Sequence, residues 1–265
     1  EQLLHSLVDA LDEYEVLHDG AKSLKEFLSV GGERAAEQVL KGFYERYLKA
    51  PYTEAEIEDE YTYEKTPVHA HEAARWSTHE SMMNRFELGL KLVEWRSVRA
   101  WLDIGCGMGD FLALVDQQCA IERLIGVDVS STMIEEARLK TYRAEHSAFH
   151  RLNFMSLRET ETFDLISAIG VLQKCGVAPM VFFAKVYSLL KDGGRAFIDT
   201  KNLRWTKFTS GELKPYVGHQ WFNPDDLLEI IKLCGFEILE VGGFLPQTNQ
   251  KVSRDESHSI YFYLE

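Results

Sequence analysis

The sequence predicts an α/β fold, a doubly wound and mostly parallel sheet of seven strands that ends in an antiparallel hairpin and follows a helical N-terminal extension. Three observations carry this. After Val98 short β-rich runs alternate with helical ones, the pattern of parallel strands joined by crossover helices. A glycine-rich string, Gly105-Cys106-Gly107-Met108-Gly109, stands between the first such run and the helix after it. Before Val98, apolar residues recur at three- and four-residue steps, the period of a helix face.

In the extension, Leu3, Leu4, Leu7, Val8, Leu11 and Tyr14 share one face, and Asp19-Gly20 ends that segment. Leu24, Phe27 and Leu28 carry a second helix up to the Gly31-Gly32 breaker, and a third spans about 33–49. From Ser77, the spacing of Met82, Met83, Phe86, Leu90 and Val93 predicts another helix. The domains are therefore divided at 1–98 and 99–265. Strands are predicted at 100–104, 124–129, 149–153, 163–169, 195–200, 236–241 and 260–264, with helices at 110–117, 131–142, 179–190 and 225–234. No helical pattern separates the last two strands, only a loop holding Gly242, Gly243 and Pro246, so they should pair as a hairpin.

Of the 265 residues 45% are apolar and 12% aromatic, enough to bury a core and exclude wholesale disorder. The net charge of −13 disfavours partners with phosphate backbones or anionic membrane surfaces. Residues 1–60 hold 15 acids against 6 bases, so most of that charge belongs to the extension and little to the domain after it. The cysteines at 106, 119, 175 and 234 have neither disulfide nor zinc spacing, and they read as reduced thiols of a cytoplasmic protein. No apolar run reaches the ~18–20 residues of a membrane span. The start at Glu1 keeps open a chain cut from a larger protein.

The string Leu102-Asp103-Ile104-Gly105-Cys106-Gly107-Met108-Gly109 carries the chemistry. Glycines there permit a tight turn and let a ligand press on bare backbone N–H groups. A dinucleotide fingerprint needs G-x-G-x-x-G/A, and its last position here is Asp110. The glycines fall instead as G-x-G-x-G, with Asp103 two places before the first. That acid suits a ligand with an ammonium group and no pyrophosphate, which sets a nicotinamide cofactor aside. Cys106 lies within the loop, where Asp103 would raise its thiol pKa, so it reads as a packing residue and not a nucleophile.

Residues 99–265 resemble the class I S-adenosylmethionine-dependent methyltransferases, whose fingerprint is this acidic-x-G-x-G-x-G loop. The landmarks recur in order: Asp128 closing the second strand nineteen residues after Gly109, Leu152-Asn153-Phe154 closing the third, and Leu190-Lys191-Asp192-Gly193-Gly194 before the fifth. The resemblance implies a Rossmann-like sheet and S-adenosyl-L-methionine as cofactor. It places Asp103, Gly105, Cys106 and Gly107 in the cofactor loop, has Asp128 accept both ribose hydroxyls, and stacks Val129 and Met133 on the adenine. Asn153 stands where the family usually has Asp, and its amide oxygen can still accept from the adenine amino group. Phe154 and Ile169 complete the expected cofactor wall. More loosely, Asn84-Arg85 resembles the first helix of the ubiquinone-pathway O-methyltransferases. There an arginine eighteen residues before the strand-end acid approaches the cofactor's carboxylate, and Arg85 has that spacing to Asp103.

Methyl transfer from a sulfonium is an in-line displacement, and a hydroxyl acceptor also needs a base or a metal. The family's common histidine after Val-Leu-x is replaced here, in Val171-Leu172-Gln173-Lys174. His219, in His219-Gln220-Trp221-Phe222, is the candidate base. Lys201, Asn202 and Trp205 follow the fifth strand and, with Tyr216 and Trp221, are candidates for the acceptor pocket. Tyr63 and His79 join them from a lid rich in tyrosine and histidine. His69, His71 and His79 find no carboxylate pattern to complete a metal triad, so no metal is expected. The expected activity is methyl transfer to a small molecule, with oxygen the favoured atom. The alternatives are a methyltransferase domain acting on a carrier-bound or protein substrate, and a silent cofactor-fold binding module. Nucleic acid and membrane are not expected as partners; neighbouring domains or a homodimer through the N-terminal helices are.

Overall fold

The run Ala100-Trp101-Leu102-Asp103-Ile104 is buried at every position, as a strand covered on both faces requires, and it forms β1 (Ala100–Ile104) at the middle of the sheet. The structure, a computed structural model, describes residues 76–158, 162–215 and 219–265 together with Glu56 and Glu72. The first three predicted helices, Tyr63, His69, His71 and Tyr216 lie outside the described residues. In chain order the strands after β1 are β2 (Arg123–Asp128), β3 (His146–Arg151), β4 (Phe163–Ile169), β5 (Leu190–Lys201), β6 (Ile238–Leu245), β7 (Gln250–Val252) and β8 (Ser259–Leu264). The helices are α1 (His79–Leu92), α2 (Asp110–Asp116), α3 (Ser131–Leu139), α4 (Pro179–Ser188), α5 (Thr206–Thr209) and α6 (Pro224–Leu233).

These strands form one eight-stranded sheet in the order β3-β2-β1-β4-β5-β8-β6-β7. The first five pair in parallel, and β8, β6 and β7 add antiparallel. The strand order reverses between β1 and β4, and at such a switch point the carboxyl ends of two neighbouring strands diverge and leave a crevice. The expected hairpin is present as β6 against β8, with the short β7 as an additional edge strand. Gly242 and Gly243 belong to β6 and not to a loop, since they pair with Tyr261 and Ile260 of β8, and the Tyr261 hydroxyl lies 2.6 Å from where a side chain on Gly242 would begin.

Alternate residues of β1 serve opposite layers. Leu102 and Ile104 pack with Phe182 and Phe183 of α4, whereas Trp101 meets Phe111 of α2 at 5.1 Å and Trp95 at 4.9 Å. Phe86 of α1 stacks on Phe111 at 5.2 Å, which ties α1 to the same face. Thr78 caps α1 by accepting from the N–H of Ser81 at 3.0 Å, and Asn84 donates to the carbonyl of Pro246 at 2.7 Å. So α1 is held at its N-terminus by its cap and at its middle by the β6–β7 turn. Among the described residues no helix is long and apolar enough to cross a membrane.

Candidate active site

A cleft of about 1100 Å³, open solvent included, lies over the switch point. Its walls are the segments that leave β1, β2, β3 and β4. The loop after β1 turns through Gly105 at φ +67° and Gly107 at φ +54°, and Val171 lies where a side chain on Gly105 would start. Larger residues would be strained in that backbone and would fill the cradle. Asp128, at the tip of β2, accepts from the N–H of Gly107 at 2.9 Å through one oxygen and from that of Ser130 at 2.9 Å through the other. Burial raises its pKa, and these backbone donors oppose the rise. The carboxylate thus clips the glycine loop to the next strand and keeps further lone pairs for a ligand.

Asp103 is 3% exposed and accepts from the hydroxyl of Ser167, which accepts in turn from the indole N–H of Trp101 at 2.8 Å. Burial pushes Asp103 up to about 7, the nearby Asp128 adds to the rise, and the Ser167 hydrogen bond opposes it. An ammonium group entering the cleft favours the carboxylate form. Below about pH 7 the acid is increasingly protonated and that attraction is lost, while above about pH 8 an amino-acid ligand's α-amino group loses its own proton. Affinity for an α-amino-acid cofactor is therefore expected to peak between those limits and to fall about tenfold per unit on the acid side. Calorimetric titration across this range, with Asp103→Asn flattening the acid limb, checks it; a flat wild-type profile would contradict it.

Every residue expected on the cofactor side except Arg85 lines this cleft: Asp103, Gly105, Cys106, Gly107, Asp128, Val129, Met133, Asn153, Phe154 and Ile169. Burial, with Asp128 and Asp103 beside it, holds the Cys106 thiol well above its ordinary pKa, in keeping with a packing role. Asn153 also accepts from the N–H of Met155 at 3.1 Å, which starts the short turn carrying Phe154. Arg85 is not among the lining residues. It forms a buried ion pair with Asp199, donates to the hydroxyl of Ser259 at 2.8 Å, and has the ring of Trp76 at 4.9 Å. The other oxygen of Asp199 accepts from the N–H of Gly170, a residue of the cleft wall.

Of the residues expected on the acceptor side, Lys201, Asn202, Trp205, His219 and Trp221 gather at the end of β5 and beyond it. Phe222 N–H donates to the carbonyl of Lys201 at 3.1 Å and Gln220 N–H to that of Gln173 at 3.0 Å. This lacing brings the segment of His219 and Trp221 beside the ends of β4 and β5. Lys201 Nζ lies 5.9 Å from the Trp221 ring, Phe208 meets Trp221 edge-on at 4.9 Å, and Trp205 meets His258 at 5.4 Å. Asn202 is fully buried and ties down the segment before β8 by donating to the carbonyls of Arg254 and Ser257. His219 is half-buried, and His79 is exposed on the first turn of α1. Among the described residues no group of three His, Cys, Asp or Glu could hold a metal ion.

Trp76, Lys174 and His258 went unnoticed in the sequence. Lys174 occupies the stretch where the family's histidine was sought, and it lines the cleft while only 8% exposed. Trp76 lies against Gly170 in the same wall. A charged residue five places after a buried strand end was a usable signal for Lys174; the isolated tryptophan offered none.

Residues 102–196 match the family profile described as a methyltransferase domain. No curated protein matches the sequence. Among solved structures, the N-methyltransferase NodS from Bradyrhizobium japonicum WM9 is similar over 70% of this chain and 96% of its own, at 20% identity and a TM-score of 0.51. Magnesium protoporphyrin IX methyltransferase (ChlM) from Synechocystis PCC 6803, with bound SAH, covers 70% of this chain and 84% of its own, at 18% identity and a TM-score of 0.52. An S-adenosylmethionine-dependent methyltransferase from Clostridium acetobutylicum ATCC 824 covers 74% and 95%, at 15% identity and a TM-score of 0.52. At such identities these likenesses establish the fold.

Proposed function

The chain carries a class I S-adenosylmethionine-dependent methyltransferase domain, and from that premise we propose that it methylates a small molecule at oxygen. S-adenosylmethionine is the methyl donor, and when bound it supplies a methyl group on a sulfonium, a good leaving group for in-line attack. Asp103 would take its ammonium, Asp128 its ribose, and Val129, Met133 and Asn153 its adenine. The observation that favours oxygen is a ring-lined region past β5 where two imidazoles, His219 and His258, stand with Lys201. Burial, and after it the positive charges of Lys201 and Arg85, hold His258 down to about 3, so it stays neutral. A hydroxyl must lose its proton as it attacks, whereas a free amine need not, and neutral imidazole is suited to take it. His219 would accept that proton from the acceptor hydroxyl, leaving its oxygen free to attack the methyl group that the cofactor would supply. Trp221, Phe208 and Trp205 favour a small, ring-bearing acceptor over a polymer. In this reading residues 99–265 are the catalytic domain and residues 1–98 precede it as a separate extension.

Incubation with methyl-labelled cofactor and matched panels of hydroxylated compounds, amines and whole-cell protein tests this. Label should appear in a small hydroxylated compound; label at nitrogen or on protein overturns the reading. With the acceptor in hand, His219→Ala should lower kcat by about 10²–10⁴-fold and leave cofactor affinity nearly unchanged. An unaltered rate would remove His219 as the base.

A further inference from the structure

The charges around the cleft are sorted. Asp103 and Asp128 line it on the side of the glycine loop and Lys174 on the side of β4, while Lys201, at the end of β5, and Arg85, on α1, lie outside the lining. Arg85 is paired with a carboxylate, Asp199, and both oxygens of Asp199 are occupied, by Arg85 and by the N–H of Gly170. Lys201 follows Asp199 by two positions on β5, so both side chains leave the same face of the strand. It is only 8% exposed, and among the described residues its ammonium has no hydrogen-bond or ion-pair partner. Its near neighbour is the face of Trp221, at 5.9 Å. The two imidazoles nearby, His258 and His219, add no negative charge.

Burying an ammonium without a counterion is costly, and a side chain in that position responds by giving up its proton. Burial is the main cause that pushes Lys201 down to about 7, followed by the charge of Arg85; Asp199 opposes the shift and Lys174 adds to it. The site therefore lacks one negative charge. The cofactor's own carboxylate sits on the same carbon as the ammonium that Asp103 would hold, and saturation with S-adenosylhomocysteine in the test below keeps that carboxylate in place while the anion preference is read.

We infer that the acceptor supplies the missing charge: it is a planar, ring-bearing molecule with a negatively charged oxygen group, a carboxylate or an ionised hydroxyl, seated against Lys201 beside Trp221. This rests on the methyltransferase reading and adds the acceptor's charge to it. The arrangement also makes electrostatic sense for the reaction, because an anionic acceptor is drawn toward a sulfonium.

The full chain saturated with S-adenosylhomocysteine is titrated calorimetrically with benzoate, 2,4-dinitrophenolate and the neutral benzamide. At about pH 6 one or both anions should bind at least roughly tenfold more tightly than benzamide. The tighter anion tells whether the group is a carboxylate or an ionised hydroxyl. The preference should decline about tenfold per unit above about pH 7, as Lys201 loses its proton in the free protein. Lys201→Met should abolish the preference. Lys201→Arg should keep it at every pH, because a guanidinium stays charged. Lys232→Met, on the exposed face of α6, should change nothing. Benzamide binding as well as the anions, a preference that survives Lys201→Met, or no binding of any probe at millimolar concentration each overturns the inference. If Lys201→Met does not fold, a preference independent of pH in the unmodified protein overturns it alone. Absence of cofactor binding with the anion preference intact would instead sink the methyltransferase reading and leave the anion site standing.

Discussion

Asp128→Ala is expected to weaken S-adenosylmethionine binding by about a hundred- to ten-thousandfold. Two charge-assisted hydrogen bonds to the ribose, at about 1.5–3 kcal/mol each, set that range. The structure adds a second reason. The same carboxylate accepts from the N–H groups of Gly107 and Ser130, so its removal also unfastens the glycine loop from β2. Asp128→Asn separates the two effects. Its remaining carbonyl oxygen can still accept from one backbone N–H, while the amide cannot accept from both ribose hydroxyls. Calorimetry should therefore place Asn between Asp and Ala, and circular dichroism should show the fold retained in both variants. Saturable binding by Asp128→Ala at the wild-type affinity would remove Asp128 from the cofactor site.

Arg85→Met is expected to cost about 3–5 kcal/mol of folding stability, the penalty for stranding a buried charge. The two side chains of the pair are 7% and 5% exposed, so little solvent is at hand to take over when one is removed. Asp199 would keep only the N–H of Gly170. Denaturant unfolding of Arg85→Met, Asp199→Leu and the double variant measures the coupling, and the double variant should recover part of the loss. Cofactor affinity is the discriminating readout. If Arg85 acts through Asp199 and the wall of Gly170 and Trp76, affinity should change far less than stability. A collapse in affinity with stability intact would restore direct recognition of the cofactor's carboxylate.

The parts of the fold that were legible are those with a one-dimensional cause. β1 and β4 appear at the residues expected, because each is a buried apolar run bounded by turn residues. β3 begins at His146, three residues before the expected start, since it is an edge strand whose exposed His146, Ser147 and His150 show no apolar pattern. β5 begins at Leu190 and not at 195, because Leu190 pairs with Phe163 ahead of the irregular stretch Lys191–Gly194. Backbone pairing there needs no apolar side chains. In the cleft, the cofactor wall was legible because its residues follow strand ends directly and sit within a few positions of one another. Lys201, Trp221 and His258 come from three separate segments, and Arg85 is 114 positions from Asp199, so no local pattern joins them.

The sequence by itself determined the alternation of strands and helices, the glycine turn after β1, and the acids at the tips of β1 and β2. These follow from local propensity, from backbone conformations only glycine adopts freely, and from spacing along one chain. Only the tertiary structure decided which charges meet and which are neutral. It gave Arg85 a carboxylate of the protein as its partner, brought Asp103 to a pKa near neutrality, and left Lys201 buried with no ion-pair partner among the described residues. The physical reason is that the cost of a charge depends on how much water surrounds it and what stands opposite, and both are properties of packing, not of order along the chain.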